Sequence, residues 1–351
     1  MTTYTNHSAF PADDQAARLR ELVARLDHAR EEHEPPAHTS PDREGPTKRH
    51  RRQPQPIRGA EAEVRTASVI AIASGKGGVG KTSLSVNLCA KIAHRGARVI
   101  LLDGDFGLAN ADLLCGVRVG AHLGHVLDGS RSLEDVLIDT PTGFRLAPGA
   151  SGLASMLRSS ATERQAVVDH LAGMDTACDV VVIDCGAGMG DEVCSFMRAA
   201  DLSVIVTTPE PPAIADAYAL IKRLVRTTTD SSPHALPPQL VVNMCEDERD
   251  AMRTHRRIAS VAARFLNVPI PLLGWTPTDS AVSEAVRERT PFVQLSPRSD
   301  VSRAVGRLAR SLEQEMGLPA FRLRRSKRSA GFWRRLFSLS VDQHSRSPRF
   351  C

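Results

Sequence analysis

No stretch of this chain runs to eighteen apolar residues, so the sequence offers no transmembrane helix. Its N-terminus lacks the apolar core of a secretory signal. Cysteine is scarce and unpatterned. There are seven, an odd number with no Cys-x-x-Cys pair, which suits reduced thiols in a cytoplasm better than a disulfide framework. Aromatic residues make up 4% of the chain, and the twelve histidines show no metal-ligand spacing. Net charge is also thin over most of the length. Residues 320–351 hold nine basic residues against one acidic, a local +8, which leaves −3 of the total +5 on 1–319. A mildly acidic body with a basic tail argues against direct DNA binding and for a soluble enzyme with a charged attachment. The 351 residues, 42% of them apolar, suffice for one large α/β domain with appendages.

What the chain does carry is Ser74-Gly75-Lys76-Gly77-Gly78-Val79-Gly80-Lys81-Thr82. It stands behind the apolar run Val69-Ile70-Ala71-Ile72-Ala73 and ahead of a helical pattern over 84–93. Strand, glycine loop, helix is the setting a phosphate-binding loop requires. Gly75, Gly77, Gly78 and Gly80 let the backbone close on a phosphate. The N–H groups of the loop, through Val79 to Thr82 and Ser83, then turn inward as an anion nest. The helix presents its positive end to the same phosphates. Lys81 is expected to reach the β- and γ-phosphates of a nucleotide, and the Thr82 hydroxyl to bind Mg²⁺. Lys76 lies inside the loop, too near its backbone to do much in cis. It can reach across a subunit interface and neutralise charge on a partner's nucleotide, as an arginine finger does.

Residues 13–33 place Ala16, Leu19, Leu22, Val23, Leu26 and Ala29 at steps of three and four, the pattern of an amphipathic helix. Such a helix either folds back on the body or docks in a partner's groove. Residues 1–34 therefore form an N-terminal helical segment. Residues 35–64, with six prolines and little apolar content, form a disordered linker that includes the basic run Lys48-Arg49-His50-Arg51-Arg52. Over 65–318, strand-like runs at 67–73, 98–103, 143–147, 179–184, 202–207, 239–244 and 269–275 alternate with helical patterns. That alternation predicts an α/β fold of right-handed βαβ units with a mostly parallel sheet. Ligands of such sheets sit beyond the carboxyl ends of the strands.

The motifs fall at those ends. Asp103 and Asp105 follow the second strand, where one can orient an attacking water and the other a metal-bound water. A turn rich in Asp, Gly and Asn is the plainer reading. Asp184 ends the apolar run Val180-Val181-Val182-Ile183, the pattern of a carboxylate that holds Mg²⁺ through water, and glycines after it permit a loop that moves. Cys185, next to it, raises the alternative of a thiolate-held iron–sulfur cluster, although Cys115 and Cys194 do not supply fitting spacing. Asn243 is a candidate adenine reader, since an amide pairs with the donor and acceptor edge of the base, or else a turn residue. After Leu318 the composition changes. Phe332, Trp333, Leu336 and Phe337 share one helical face flanked by Arg334 and Arg335, behind a basic run. That is the pattern of a helix lying in an anionic membrane surface, and a terminal helix packed on the body is the alternative.

The Lys-Gly-Gly-x-Gly-Lys-Thr core at 76–82 resembles that of the deviant-Walker dimerising ATPases, a class with the MinD, ParA and nitrogenase iron protein families. Within it the chain resembles, over 13–339, the FlhG/FleN (YlxH) family of flagellar number regulators. Asp14-Gln15-Ala16-Ala17-Arg18-Leu19-Arg20 is similar to that family's Asp-Gln-Ala-x-x-Leu-Arg activator motif. The segment 103–112 is similar to its first switch, 184–188 to its second, 207–222 to its Thr-Thr-Pro-Glu-Pro stretch and following helix, and 332–339 to its membrane helix. Ala109, where MinD has Arg, gives the Gly-Leu-Ala-Asn spelling similar to FlhG. Two departures stand out: Cys185 replaces Thr or Ser, and residues 340–351 continue past the tail helix.

The resemblance implies a MinD-like P-loop NTPase fold and ATPase activity with ATP and Mg²⁺. It implies a homodimer closed by ATP, with Asp105 as the hydrolytic residue. It implies an FlhF-type GTPase as the partner of Asp14, Gln15, Leu19 and Arg20, stimulated by the contact. Flagellar C-ring switch proteins and a FleQ/FlrA-type transcriptional activator are further implied partners. The expected location is cytoplasmic and peripheral on the inner membrane face, and the expected function is control of flagellar number and placement. A MinD-type division ATPase, which lacks the motif at 14–20, and a ParA-like segregation ATPase, which calls for a basic body, are the rivals.

Overall fold

Apolar runs covered on both faces become the strands, as their unbroken hydrophobicity requires. The computed structural model describes residues 65–105, 110–149, 177–226 and 237–316, with 171, 174, 324, 325, 333, 335 and 336. The expected N-terminal helix with Asp14, Gln15, Leu19 and Arg20, the linker at 35–64, and Phe332, Arg334 and Phe337 lie outside the described residues. The chain divides into two units, Met1–Ala62 and Glu63–Cys351, and every described residue belongs to the second.

The strands are β1 (Arg65–Thr66), β2 (Ser68–Ser74), β3 (Val99–Gly104), β4 (Ile138–Asp139), β5 (Arg145–Ala147), β6 (Val180–Ala187), β7 (Leu202–Thr207), β8 (Gln239–Cys245), β9 (Leu272–Pro277) and β10 (Arg324–Arg325). Eight of them form one sheet in the order β4-β5-β3-β6-β2-β7-β8-β9. All neighbours are parallel except β4 on β5. The two-residue β4 is too short to leave a hydropathy signal and escaped the sequence reading. The last strand begins later than expected, at Leu272. Pro269 and Pro271 have no N–H to give to a ladder, and pairing starts with the Leu240 N–H donating to the Pro271 carbonyl (2.8 Å).

The helices are α1 (Lys81–His94), α2 (Ala111–Cys115), α3 (Leu123–Leu127), α4 (Leu133–Val136), α5 (Asp191–Ala199), α6 (Pro211–Arg226), α7 (Glu248–Leu266), α8 (Ser280–Arg287), α9 (Phe292–Leu295) and α10 (Asp300–Glu315). They divide between the faces of the sheet. Alternate residues of β2 show the division: Val69, Ala71 and Ala73 join one core with α5, α6 and α7, while Ile70 and Ile72 join the other with α1 and α10. With both faces covered, the open places are the strand ends. Those of β2, β3, β6 and β8 carry the motifs.

Candidate functional site

Beyond β2 the chain turns through Gly78 and Gly80 with φ of 82° and 81°, left-handed conformations that cost an L side chain and little for glycine. Gly80 is the N-cap of α1, and no side chain caps that helix end, leaving its N–H groups for an anion. The loop is gripped on two sides. A Cβ on Gly75 would lie 2.2 Å from the Asp216 carbonyl oxygen of α6, and one on Gly80 would lie 2.4 Å from Asn243 Nδ2. The Gly188 N–H, just past β6, donates to the Ser74 carbonyl at 2.9 Å and ties the segment after β6 to the end of β2.

The charged groups lie at the inner side of the loop. Lys81 Nζ stands 2.9 Å from Asp184 Oδ1, with side chains 6% and 0% exposed. Ser85, one turn along α1 from Lys81, donates its hydroxyl to the same oxygen at 2.9 Å. Sequence reasoning passed over Ser85, although its i+4 spacing from Lys81 was the available signal. Among the described residues the other oxygen, Asp184 Oδ2, is buried without a hydrogen-bond partner. A buried acceptor left open suits a carboxylate that binds a cation's water. The Thr82 hydroxyl lies 3.5 Å from Lys81 Nζ.

Asp103 pairs with Asp184 in the β3–β6 register. Its two oxygens accept from the N–H groups of Asp105 (3.1 Å) and Ala111 (3.2 Å). Burial, and then the Asp184 charge, push its carboxyl up to about 6. Asp105 sits beside Gly186, where a Cβ would come within 3.8 Å of Asp105 Oδ1. Lys76 is separate from this cluster. Its side chain is 41% exposed, and its Nζ lies 3.4 Å from Glu210 Oε2. Cys185 is fully buried, its thiol pushed up to about 12 by burial, unlike a ligand presented at a subunit interface.

A cavity of about 280 Å³ adjoins the loop, lined by Gly80, Asn243, Met244, Thr276 and Asp279 among others. Asn243 Nδ2 donates to the Val79 carbonyl at 2.8 Å, and Asn243 Oδ1 accepts from the buried Thr276 hydroxyl. The stretch Gly274–Asp279 at the end of the last strand is a sequence candidate for completing a base pocket, and Thr276 to Asp279 line this cavity; the bond from Thr276 to Asn243 depends on β9 lying beside β8.

Of the tail residues, Trp333 and Leu336 are 1% and 0% exposed, inside the core shared by α5, α6 and α7. Arg335 donates from Nε to the Ala199 carbonyl (3.0 Å) and from Nη2 to Asp201 Oδ1 (3.2 Å). Asp201 Oδ2 in turn accepts from the Val69 N–H at the start of β2 (2.9 Å). The packing of these three residues is that of a terminal segment held on the body, the alternative the sequence had left open.

The site has clear relatives. The model of the CobQ/CobB/MinD/ParA nucleotide binding domain matches residues 70–292. The Antiactivator FleN of Pseudomonas aeruginosa is 38% identical over 70% of this chain and 86% of its own length. The Flagellum site-determining protein YlxH of Helicobacter pylori is 33% identical over 68% of this chain and 80% of its own. The septum site-determining protein MinD from Pyrococcus horikoshii, solved as its Mg-ADP complex, superposes with a TM-score of 0.56 at 28% identity, covering 72% of this chain and 98% of its own. A family model matched over most of the chain, and two relatives above 30% identity covered over most of their length, show that this chain belongs to the FlhG/FleN branch of the CobQ/CobB/MinD/ParA nucleotide-binding family.

Proposed function

We propose that the chain is an ATPase that closes into a homodimer on ATP and controls the number and placement of flagella. The observation that carries this is the division of labour between two lysines. Lys81 is buried against Asp184, and Lys76 stands at the surface beside Glu210. The loop N–H groups and the α1 N-terminus bind the phosphates, and Lys81 moves from Asp184 to them. Thr82 and Asp184, the latter through water, would hold Mg²⁺, which supplies charge neutralisation on the β- and γ-phosphates. Asp105 orients the attacking water, with Asp103 holding its backbone. Lys76 leaves Glu210 and reaches the partner copy's nucleotide. The names of the two flagellar relatives favour flagella over septum placement. Phosphate release is the test. Asp105→Ala is expected to lower turnover about a hundredfold, as loss of positioning does, while ATP-driven dimerisation survives. Intact ATP held by a chain that stays monomeric would remove the reading.

The membrane face of the tail is Phe332, Trp333, Leu336 and Phe337, flanked by Arg334 and Arg335. Because Trp333 and Leu336 pack in the core, membrane contact requires the tail to leave it. Each tail is short and binds lipid weakly, so two in one ATP-closed dimer bind anionic membrane far more tightly than one. Hydrolysis then returns the chain to the cytoplasm.

Asp14, Gln15, Leu19 and Arg20 contact and stimulate an FlhF-type GTPase. A further partner face is α7. Over 251–266 it has no acidic residue, while Arg253, Arg256, Arg257 and Arg264 are exposed and Phe265 is 65% exposed. Such a surface suits an acidic protein segment with an apolar anchor, as a C-ring switch protein or a FleQ/FlrA-type activator would have to supply. Arg256→Glu with Arg257→Glu is expected to abolish capture of the partner and leave ATP hydrolysis intact. Unchanged capture would exclude α7.

A further inference from the structure

Two donors converge on one oxygen beneath the phosphate loop. Lys81 Nζ and Ser85 Oγ each lie 2.9 Å from Asp184 Oδ1, and all three side chains are buried. Ser85 has a second neighbour at 3.0 Å, the Lys81 carbonyl one turn back along α1. A carbonyl and a carboxylate both only accept, so Ser85 is the donor toward either. Its single proton goes to the charged carboxylate, the stronger acceptor of the two. The Lys81 carbonyl is not left open by this, because the helix supplies it with the Ser85 N–H.

The nucleotide-free chain needs only one of these donors. Lys81 by itself keeps Oδ1 paired and balances its charge. The position of Ser85 matters when Lys81 moves to the phosphates. Among the described residues, Ser85 is then the donor that stays on Oδ1. It stands on α1 with a short side chain and no exposure, so its hydroxyl holds a fixed place. A carboxylate pinned at Oδ1 keeps Oδ2, the open oxygen, in one direction. Without the hydroxyl, Oδ1 becomes a buried acceptor with no donor once the lysine has gone, a costly state. The carboxylate would relieve it by turning or by drawing Lys81 back, and Oδ2 would lose its aim in both cases.

We propose that Ser85 is a positioning residue for the cation: it takes over Asp184 Oδ1 when Lys81 goes to the phosphates, and so keeps Oδ2 aimed at the cation's water. This rests on the reading that a nucleotide and Mg²⁺ occupy the loop. Ser85 acts through Asp184 and not on the nucleotide.

The test is titration calorimetry of ADP binding to the full chain, once with EDTA and once with saturating Mg²⁺. The ratio of the two affinities reads what the cation adds. Ser85→Ala is expected to cut that ratio about tenfold, as loss of an outer partner of a metal-binding group does. Ser85→Cys, close to serine in size and a weaker donor, is expected to fall between alanine and wild type. In the nucleotide-free chain Lys81 still covers Oδ1, so the denaturant midpoint of Ser85→Ala should stay close to that of wild type. A merely structural serine gives the reverse, a lowered midpoint with the ratio intact, and that overturns the proposal. If the alanine variant does not fold, a cysteine variant with the wild-type ratio overturns it equally. A wild type that binds no ADP in either arm sinks the nucleotide reading as well, so the two failures are distinguishable.

Discussion

Lys81 and Lys76 lie five residues apart and answer to different physics. Lys81 and Asp184 are withdrawn from water together, so removing one partner leaves a buried charge alone. Lys81→Ala is expected to cost the nucleotide-free chain about 3–5 kcal/mol. Lys76→Ala breaks a half-exposed contact with Glu210 and is expected to cost under about 1 kcal/mol. Denaturant melts without nucleotide check both values, and a Lys81→Ala chain that melts like wild type would refute the buried-pair account. Both substitutions should abolish ATP-driven dimerisation, for different reasons: one chain cannot hold the phosphates, and the other cannot reach across. At this scale the placement of Lys76 and Lys81 in the loop and of Asp103, Asp105 and Asp184 at the strand ends was legible in the sequence, because strand–loop–helix order and residue type fix where they fall. The bonds of Ser85 to Asp184 and of Thr276 to Asn243 were not, because those partners are 99 and 33 residues away.

At the scale of one element, α3 shows how a short helix depends on its cap. The His122 Nδ1 accepts from the Gly124 N–H, and the His125 Nδ1 accepts from the His122 N–H, each at 3.1 Å. The rings stack with centroids 4.0 Å apart. Protonation converts both acceptors into donors and sets like charges face to face. Burial, then the neighbouring His125, hold His122 below its ordinary value of 6.5, with Asp128 opposing them. A folded value below the unfolded one means that the unfolded chain takes the proton first. The stability from this group is therefore present above pH 6.5 and lost as pH falls through that value and below. The melting temperature is expected to drop more steeply between pH 7 and 5.5 in wild type than in His122→Asn, which keeps a capping acceptor that does not titrate there. Parallel slopes would dismiss the histidine cap as the cause. The strands were legible at this scale as apolar runs. The start of β9 was displaced by two prolines, and β4 was invisible because two residues carry no pattern.

Across the whole molecule, the tail is the part whose state is expected to depend on nucleotide. Trp333 and Trp275 are the two tryptophans, so Trp275→Phe leaves Trp333 as a sole reporter. Its fluorescence is expected to be quenched by brominated anionic vesicles with ATP and spared with ADP. Equal quenching in both would uncouple the tail from the dimer. The same Arg335 that reads as a lipid contact in the sequence makes hydrogen bonds to Ala199 and Asp201 in the fold, and the same Trp333 packs in the core. An amphipathic segment records that it has an apolar face and leaves open what covers it, since hydrocarbon and protein core both satisfy the same pattern. The sequence by itself determined the α/β order, the phosphate loop and the carboxylates at the strand ends, because these rest on local periodicity and residue chemistry. Only the tertiary structure decided which lysine is buried, which oxygen of Asp184 stays open, how the Asn243 amide is turned and where the tail rests, because each depends on strands and helices far apart in the chain being brought side by side.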